Sequence, residues 1–468
     1  MATAALHDLS LADVGAAIRT GAISSVDVTR HAVDRIAALE PRYHAFAEVR
    51  AEAALAEAAA ADAQRTRGEA LGPLHGVPVA VKDLCAMAGT ATRAGGFFTT
   101  GFAPSDTATV VARLQAAGAI VVGKAQLTEG AWGAHHPDVV PPVNPWAPDR
   151  WTGASSSGSG VCVAAGLAYG AIGSDTAGSI RFPSACNHLV GLKPTWGRVS
   201  RHGVFPLSET FDHVGPMART VLDVALMYAA IAGADPLDPT SLDAPVGDPA
   251  AAARGGTLAG VRVGVDASFA LTSLDDATAA GMKGALAHLQ AAGATLVDVA
   301  FPEIASLLEP AMLACFAEAA VAHAHTYPSQ KERYGPAYAE LLEVGRATPA
   351  TAYAAFAMRR RELRGRLRRV FEHADLLAVP VMPIQPMTVE EMAAVTVGPL
   401  LAAAPLLVYT LPFDVAGSPT LTLPMGRSPE GAPLGFQLVG PDLGEAALLS
   451  AGAAYERQAG TATPRAVL

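Results

Sequence analysis

The sequence predicts an α/β protein in which a central mixed β-sheet is covered by helices on both faces. A helical pattern followed by a short apolar strand pattern occurs at residues 106–124 and again at 277–299, and this alternation is typical of α/β folds. The chain has 468 residues, 51% of them hydrophobic, so it can bury a large core. Further strands are predicted near residues 77–82, 161–172, 261–266, 376–380 and 420–424.

The first 70 residues are predicted to form helices that pack without carrying chemistry. Ser10 precedes one amphipathic run, Ser24 or Ser25 precedes the next, and the alanine-rich segment 49–67 predicts a third helix. We predict one domain over the whole chain. Its parts are N-terminal helices (1–70), a core (71–230) and a C-terminal part (257–468), with the Pro-, Gly- and Asp-rich residues 233–256 as a surface connection.

Composition and charge argue against several classes of protein. The net charge is −10, and the basic run at residues 359–369 has the pattern of a solvated helix face, so no nucleic-acid partner is expected. The N-terminus lacks the pattern of a secretory signal. The apolar residues 392–411 are interrupted by Gly398, Pro399 and Pro405, so no membrane partner is expected.

Cysteine and histidine usage predicts neither disulfides nor metal. The four cysteines, at positions 85, 162, 186 and 315, show no paired spacing, and the thirteen histidines form no metal-spaced cluster. We therefore expect a cytoplasmic protein with no metal and no cofactor.

Residues 151–195 are dense in serine and glycine, yet apolar runs interrupt them. Glycine lets backbone amides approach a ligand and serine supplies hydroxyls, so this composition suits a site that binds or attacks a polar group. A flexible loop is the alternative, but structureless loops longer than about 12–15 residues are uncommon inside compact domains. The stretch therefore predicts a site.

Lys82 ends the apolar run at residues 77–82 and is followed by Asp83. Only five of the 33 basic residues are lysine, and burial at a strand end would lower the pKa of this amine and make it a usable base. A surface lysine paired with Asp83 is the alternative. On these residues alone, that alternative is the preferred interpretation.

Common serine and phosphate motifs are absent from the sequence, including G-x-S-x-G, S-x-x-K and G-x-x-x-x-G-K-[ST]. Residues 175–179, DTAGS, instead place a serine behind a turn of small residues. Several successive amides of such a turn can point at one place beside the hydroxyl and stabilise an oxyanion. A nucleophilic serine would still need a base.

Three blocks of sequence resemble the amidase signature family of serine hydrolases. They are GVPVAVKD at residues 76–83, TGASSSGSG at 152–160 and GSDTAGSIRFPSACNHLVGLKPT at 173–195. The resemblance continues through residues 203–220, 411–426 and 433–441, so it covers nearly the whole chain. It implies the amidase signature fold and hydrolysis of amide C–N bonds.

The resemblance also implies a role for each matching residue. Ser179 is implied as the nucleophile, Ser155 as the bridging serine associated with a cis peptide bond, and Lys82 as the base. Ala177 and Ala154 stand where the family commonly has glycine, and alanine keeps its amide donor. The implied oxyanion hole consists of the amides of Thr176, Ala177, Gly178 and Ser179.

Substrate contacts are likewise implied by the resemblance, with ordinary packing as the alternative. The acyl pocket would be lined by Glu129, Gly130, Ala131 and Trp132, and the loop at residues 135–146 would border its entrance. Glu129 would disfavour an anionic acyl group, so a malonate-like substrate is not expected. The apolar segments 307–343 and 388–407 suit a bulky or hydrophobic leaving group.

Residues beside the nucleophile are expected to be scaffold. Arg181 has the chemistry to hold a substrate carboxylate, but a buried arginine tied to an acid such as Asp175 is the preferred interpretation. Lys193 and Ser156 are interpreted in the same way.

We therefore predict an amidohydrolase that acts on small-molecule linear amides through an acyl-enzyme, with aryl amides and carbamates as candidate substrates. A homodimer is left open. One alternative is the amidase-like subunit of a tRNA-dependent amidotransferase, although that subgroup usually has SIRQP where this chain has SIRFP at residues 179–183. The other is a non-catalytic binding module, which would need none of Lys82, Ser155 and Ser179.

Overall fold

The computed structural model of the protein describes residues 5–397, 402 and 404–461. The strands of this part of the chain are β1 (Phe46–Val49), β2 (Pro78–Lys82), β3 (Ile120–Ala125), β4 (Gly170–Asp175), β5 (Val190–Lys193), β6 (His213–Ala218), β7 (Arg262–Val265), β8 (Thr295–Asp298), β9 (Leu376–Pro380), β10 (Thr420–Arg427) and β11 (Pro433–Val439). They form one sheet in the order β1-β3-β2-β4-β6-β5-β10-β11-β9-β7-β8. Strand β2 runs parallel to β3 and β4, and β7 runs parallel to β8 and β9, whereas the other neighbours are antiparallel. The predicted mixed sheet is confirmed.

Helices occur along the whole chain. They are α1 (Leu11–Thr20), α2 (Ser25–Tyr43), α3 (Ala51–Thr66), α4 (Thr109–Ala116), α5 (Ser157–Ala164), α6 (Arg181–Cys186), α7 (Val221–Ile231), α8 (Pro249–Arg254), α9 (Ala267–Ala270), α10 (Asp276–Ala291), α11 (Ala305–Ala322), α12 (Pro336–Ala347), α13 (Ala350–His373), α14 (Val389–Val397), α15 (Leu411–Ala416) and α16 (Glu445–Ala459). Short 3-10 helices lie at Leu6–Asp8, Glu129–Ala131, Lys331–Arg333 and Ala404–Leu407.

The N-terminal helices begin where the sequence predicts. The Ser10 hydroxyl accepts a hydrogen bond from the Asp13 amide, and the Asp13 carboxylate accepts one from the Ser10 amide, which is a capping box. Ser24 caps α2 by accepting from the Asp27 amide. Each cap satisfies backbone donors that the first helical turn leaves free.

Both faces of the sheet are covered, as its side chains show. Val79 and Val81 of β2 pack into the largest hydrophobic core, together with residues of α1, α4 and α7. Ala80 points into a second core, with Ile36 of α2 and Val161 of α5. Because successive side chains of a strand point to opposite faces, these two cores lie on opposite sides of the sheet.

The predicted strand at residues 161–172 is wrong in its first half. Val161 and the three residues after it belong to α5, and the strand β4 begins at Gly170. All eight residues of α5 are buried, so the helix has no exposed polar face and shows no helical period in the sequence. Strand β1 was not predicted because it is a four-residue strand at the sheet edge.

Other local predictions concern charge, hydropathy and cysteine. The basic run 359–369 lies in α13, where Leu363 and Leu367 are buried and most of the arginines are exposed. Helix α11 is long and apolar enough to cross a membrane, but seven of its residues pack in the protein core, as those of a core helix do. All four cysteines are free and buried. The predicted interruptions at Gly398 and Pro399 lie outside the described residues.

Candidate active site

The carboxyl ends of the parallel strands β2 and β4 bring Lys82 beside Ser174. Ala80 pairs with Ala171 and Val81 with Ile172, so Lys82, the last residue of β2, lies next to the end of β4. Its Nζ donates hydrogen bonds to Ser174 Oγ at 2.9 Å and to Ser155 Oγ at 2.7 Å. The lysine is therefore held by two hydroxyls, and the salt bridge of Asp83 goes to Lys124 instead.

The environment of Lys82 favours the neutral amine. Its side chain is fully buried, and burial lowers its pKa from 10.5 to about 7, against the opposing charges of Asp212 and Asp175. At neutral pH a large fraction of this lysine is consequently unprotonated. A neutral amine that already bonds a serine hydroxyl has the geometry of a general base.

Ser155 lies two residues before the start of α5 and is anchored through its backbone. The peptide bond between Ala154 and Ser155 is cis. The Ser155 carbonyl accepts from the Thr128 amide at 3.2 Å, and the Ser156 amide donates to the Ser179 carbonyl at 3.3 Å. This second bond brings the segments of Ser155 and Ser179 side by side.

Ser179 lines a cavity of about 650 Å3 over the sheet. Among the described residues no hydrogen-bond partner lies on its hydroxyl, so the oxygen is not engaged by the scaffold. Catalytic hydrogen bonds are often long in unliganded enzymes and tighten when substrate binds. The structure thus joins Lys82 to Ser155 directly and joins Ser155 to Ser179 through adjacent backbone.

The predicted oxyanion hole needs one correction. The amide of Gly178 donates to Asp175 Oδ1 at 2.6 Å, so it is not available to an oxyanion. Within the described chain, no acceptor engages the amides of Thr176, Ala177 and Ser179. Ala177 does not adopt a positive φ, so alanine fits this turn in place of glycine.

Gly178, in contrast, cannot be replaced without strain. Its φ is 131°, a region that side-chain-bearing residues rarely adopt. A Cβ on this residue would lie 2.4 Å from the Phe182 ring. Phe182 itself lines the cavity, so a side chain at residue 178 would displace either the turn of residues 176–179 or the cavity wall.

Arg181 is scaffold, in agreement with the preferred interpretation. It is fully buried, its Nη2 lies 2.8 Å from Asp175 Oδ1, and it also bonds Asp414 and the Thr410 carbonyl. Burial alone would raise the pKa of Asp175, but the charge of Arg181 holds it well below its usual range. Asp175 is therefore ionised and locks the turn through the amides of Gly178 and Ile180.

Lys193 is likewise fully buried and donates to the Ser418 carbonyl at 2.6 Å. Ser156 exchanges hydrogen bonds with the backbone of Ser174. Both residues are therefore scaffold, because their side chains bond backbone atoms near the site.

Two of the four predicted pocket residues line the cavity. Ala131 and Trp132 face it, but Glu129 and Gly130 do not. The Glu129 carboxylate accepts from the Gly335 amide at 3.0 and 3.1 Å, and a side chain on Gly130 would collide with the Tyr338 ring.

The cavity wall is mostly apolar. The loop at residues 135–146 and the segment 307–343, which were expected at the entrance or leaving-group side, contribute none of its described lining, whereas the segment 388–407 does. No acidic or basic side chain is among its described lining residues, which include Trp132, Trp151, Phe182, Leu207, Met392, Val395, Leu406 and Leu407.

Sequence reasoning missed Ser174 and Asp212. Asp212 accepts from Thr176 Oγ1 at 2.5 Å and from the amides of Leu207 and Ser208, so it ties the turn of residues 176–179 to the cavity wall. Ser174 had a usable signal, because the ends of adjacent parallel strands meet at one edge of the sheet. Asp212 had none, since it lies far from the turn in sequence.

Comparison with known proteins shows which family this chain resembles. The family model described as Amidase matches residues 27–449. The chain is 43% identical to a protein of Mycobacterium tuberculosis named as a candidate amidase, AmiD, over 97% of this chain and 95% of the relative. It is 38% identical to one of the subunits of the glutamyl-tRNA(Gln) amidotransferase of Chloroflexus aurantiacus, over 97% of each chain.

The fold is also similar to that of a solved enzyme. The native peptide amidase from Stenotrophomonas maltophilia superposes with a TM-score of 0.83 and 32% identity over 97% of each chain. The match of the family model over most of the chain, together with relatives above 30% identity, shows the family. The protein is a member of the amidase family, and it hydrolyses amide C–N bonds.

Proposed function

We propose that the protein cleaves small carboxylic amides with an uncharged acyl group, using a Lys82–Ser155–Ser179 triad. The observation that carries this proposal is the hydrogen bond of 2.7 Å from the buried Lys82 Nζ to Ser155 Oγ, beside the segment that holds Ser179. It is the arrangement in which an unprotonated amine can draw a proton through one hydroxyl from another.

In this mechanism Ser179 Oγ attacks the amide carbonyl and forms a C–O bond. Its proton passes to Ser155, while the proton of Ser155 passes to Lys82. The amides of Thr176, Ala177 and Ser179 stabilise the oxyanion. The C–N bond then breaks, the same relay returns a proton to the leaving amine, and water hydrolyses the acyl-enzyme by repeating the steps.

The apolar cavity favours a hydrophobic acyl group. A charged acyl group would lose hydration free energy between these aromatic and aliphatic walls, because no ionised group is among the described lining residues to pair with it. We therefore propose linear aryl or arylalkyl amides as substrates, with carbamates as a second class because their cleavage has the same tetrahedral intermediate.

Composition supports a protein that works on small molecules in the cytoplasm. The net charge of −10 disfavours a nucleic-acid partner. The four free, buried cysteines suit a reducing compartment. A homodimer is compatible with this proposal.

Labelling and turnover together test the triad. A fluorophosphonate should label Ser179 in the wild-type protein, and Ser179→Ala should abolish both labelling and amide turnover. Ser155→Ala should lower kcat by about 10²–10⁴-fold, while Ser159→Ala, a matched buried serine of α5, should keep turnover. Labelling at a residue other than Ser179, or full activity of Ser155→Ala, would refute the triad.

The amidotransferase relatives favour a second candidate function. The 38% identity to the glutamyl-tRNA(Gln) amidotransferase protein of Chloroflexus aurantiacus covers nearly the whole of both chains. In that case, turnover would be specific for glutamine and would depend on a partner protein. Release of ammonia from glutamine, compared with release of aniline from acyl anilides by the isolated protein, separates the two candidates.

A further inference from the structure

A second cavity, of about 430 Å3, adjoins the first and shares Trp132 as a wall. It lies between the turn at Glu129–Ala131 and the start of α12. Its walls include Glu129, Trp132, His135, Pro336, Ala337 and Tyr338. None of the residues assigned to the triad lines it.

Glu129 gives this cavity a buried carboxylate whose hydrogen bonding is incomplete. Its side chain is buried, with the residue 2% exposed, and among the described residues its carboxylate has one donor, the Gly335 amide, which reaches both oxygens. A carboxylate offers about four acceptor positions, and no salt bridge is formed by Glu129 in the described chain. Buried carboxylates are normally compensated by a cation or by several donors.

The rest of the cavity wall adds no positive charge. His135 Nε2 lies 3.0 Å from Ser157 Oγ, and burial lowers the pKa of its ring to about 4, so it is neutral at physiological pH. No lysine or arginine is among the described lining residues. Glu129, whose pKa burial raises to about 7, is thus the one acidic group, and Trp132 and Tyr338 supply aromatic surfaces.

We propose that this cavity binds the primary ammonium group of a small organic amine. An ammonium offers three donors, which match the acceptor positions that the Gly335 amide leaves unused, and its charge interacts favourably with indole and phenol rings. The amine is either the cationic end of a substrate that reaches past Trp132 or the amine that amide hydrolysis releases. The source of the amine rests on the proposed function, but binding itself does not.

Calorimetry on the Ser179→Ala protein tests binding without turnover. In the Ser179→Ala background, Glu129→Gln should lower the affinity for benzylammonium at least about tenfold, because a hydrogen bond to a charged group is lost. Neutral benzyl alcohol should bind the proteins with and without Glu129→Gln with equal affinity. Asp138→Asn, which removes an exposed carboxylate from the loop at residues 135–146, should change the affinity for neither ligand.

Two controls separate binding from folding. Glutamine can still accept the hydrogen bond from the Gly335 amide, so Glu129→Gln should keep the wild-type Tm. Ala337→Leu should block benzylammonium by filling the cavity while leaving Glu129 in place. Equal affinity for benzylammonium of the Ser179→Ala proteins with and without Glu129→Gln, at unchanged Tm, would overturn the proposal and leave Glu129 only as the acceptor for the Gly335 amide.

The source of the amine follows from two matched anilide substrates. If a substrate carries the ammonium, Glu129→Gln should raise KM about tenfold or more for a para-aminomethyl anilide and leave KM for the para-methyl anilide unchanged. If the site instead binds the released amine, Glu129→Gln should change the two KM values by the same factor and should weaken inhibition by benzylammonium. An enzyme inactive on all anilides would count against the proposed function, whereas the calorimetric result would stand.

Discussion

Replacing Lys82 with methionine is expected to remove catalysis without unfolding the protein. Methionine keeps a similar length and volume but supplies neither a base nor a donor to Ser155 and Ser174. Loss of a general base typically lowers kcat by about 10²–10⁴-fold. The shift of the Lys82 pKa from 10.5 to about 7 corresponds to about 5 kcal/mol in favour of the neutral amine, so a neutral side chain at this position should not lower Tm.

The same pKa predicts the pH profile of the wild-type enzyme. With a pKa of about 7, about 9% of Lys82 is neutral at pH 6 and about 91% at pH 8. The ratio kcat/KM should therefore rise about tenfold over this interval and then level off. A lysine with the ordinary pKa of 10.5 would instead give about a hundredfold rise that continues beyond pH 9.

The shifted pKa of Lys82 is also expected to make the free energy of unfolding depend on pH. The unfolded chain binds more protons than the native protein between pH 7 and 10.5, so the contribution of Lys82 to the free energy of unfolding rises with pH across this window. Lys82→Met should lose that dependence, while Lys283→Met, an exposed lysine of α10, should keep both the dependence and the activity.

The assay is kcat/KM for a neutral acyl anilide from about pH 5 to about pH 10, with urea unfolding at the same pH values. A profile without an inflection near pH 7, or substantial turnover by a folded Lys82→Met protein, would refute the assignment of a neutral amine as the base.

Two further predictions concern the turn and its support. Gly178→Ala should lower kcat more than about tenfold, because the new Cβ would lie 2.4 Å from Phe182 at a φ of 131°; Gly284→Ala, on an open helical face, should keep full activity. Arg181→Met leaves two carboxylates buried without their cation and should cost about 3–5 kcal/mol in urea unfolding. By comparison, Arg262→Met breaks a half-exposed ion pair and should cost less than about 1 kcal/mol. Equal losses from the two arginine variants would contradict the scaffold role of Arg181.

Local patterns predicted the helix caps and several short apolar strands well. Ser10 and Ser24 cap their helices as expected, and the predicted strand at residues 376–380 coincides with β9. Prediction was wrong at Val161, because a helix buried on all sides carries no amphipathic period. It was incomplete for Glu129, because a turn decides which side each residue faces, and the sequence does not show that direction.

The sequence by itself determined the fold class, the family and the serines and lysine on which the proposed chemistry depends, because these follow from periodicity and from motifs whose residues are close together in the chain. Only the tertiary structure decided that Lys82 bonds Ser174 as well as Ser155, that Asp175 takes the Gly178 amide, and that Glu129 faces a second cavity. Hydrogen bonds and burial depend on distances between segments that are remote in sequence. Those distances, and the pKa values they set, exist only once the sheet has been assembled.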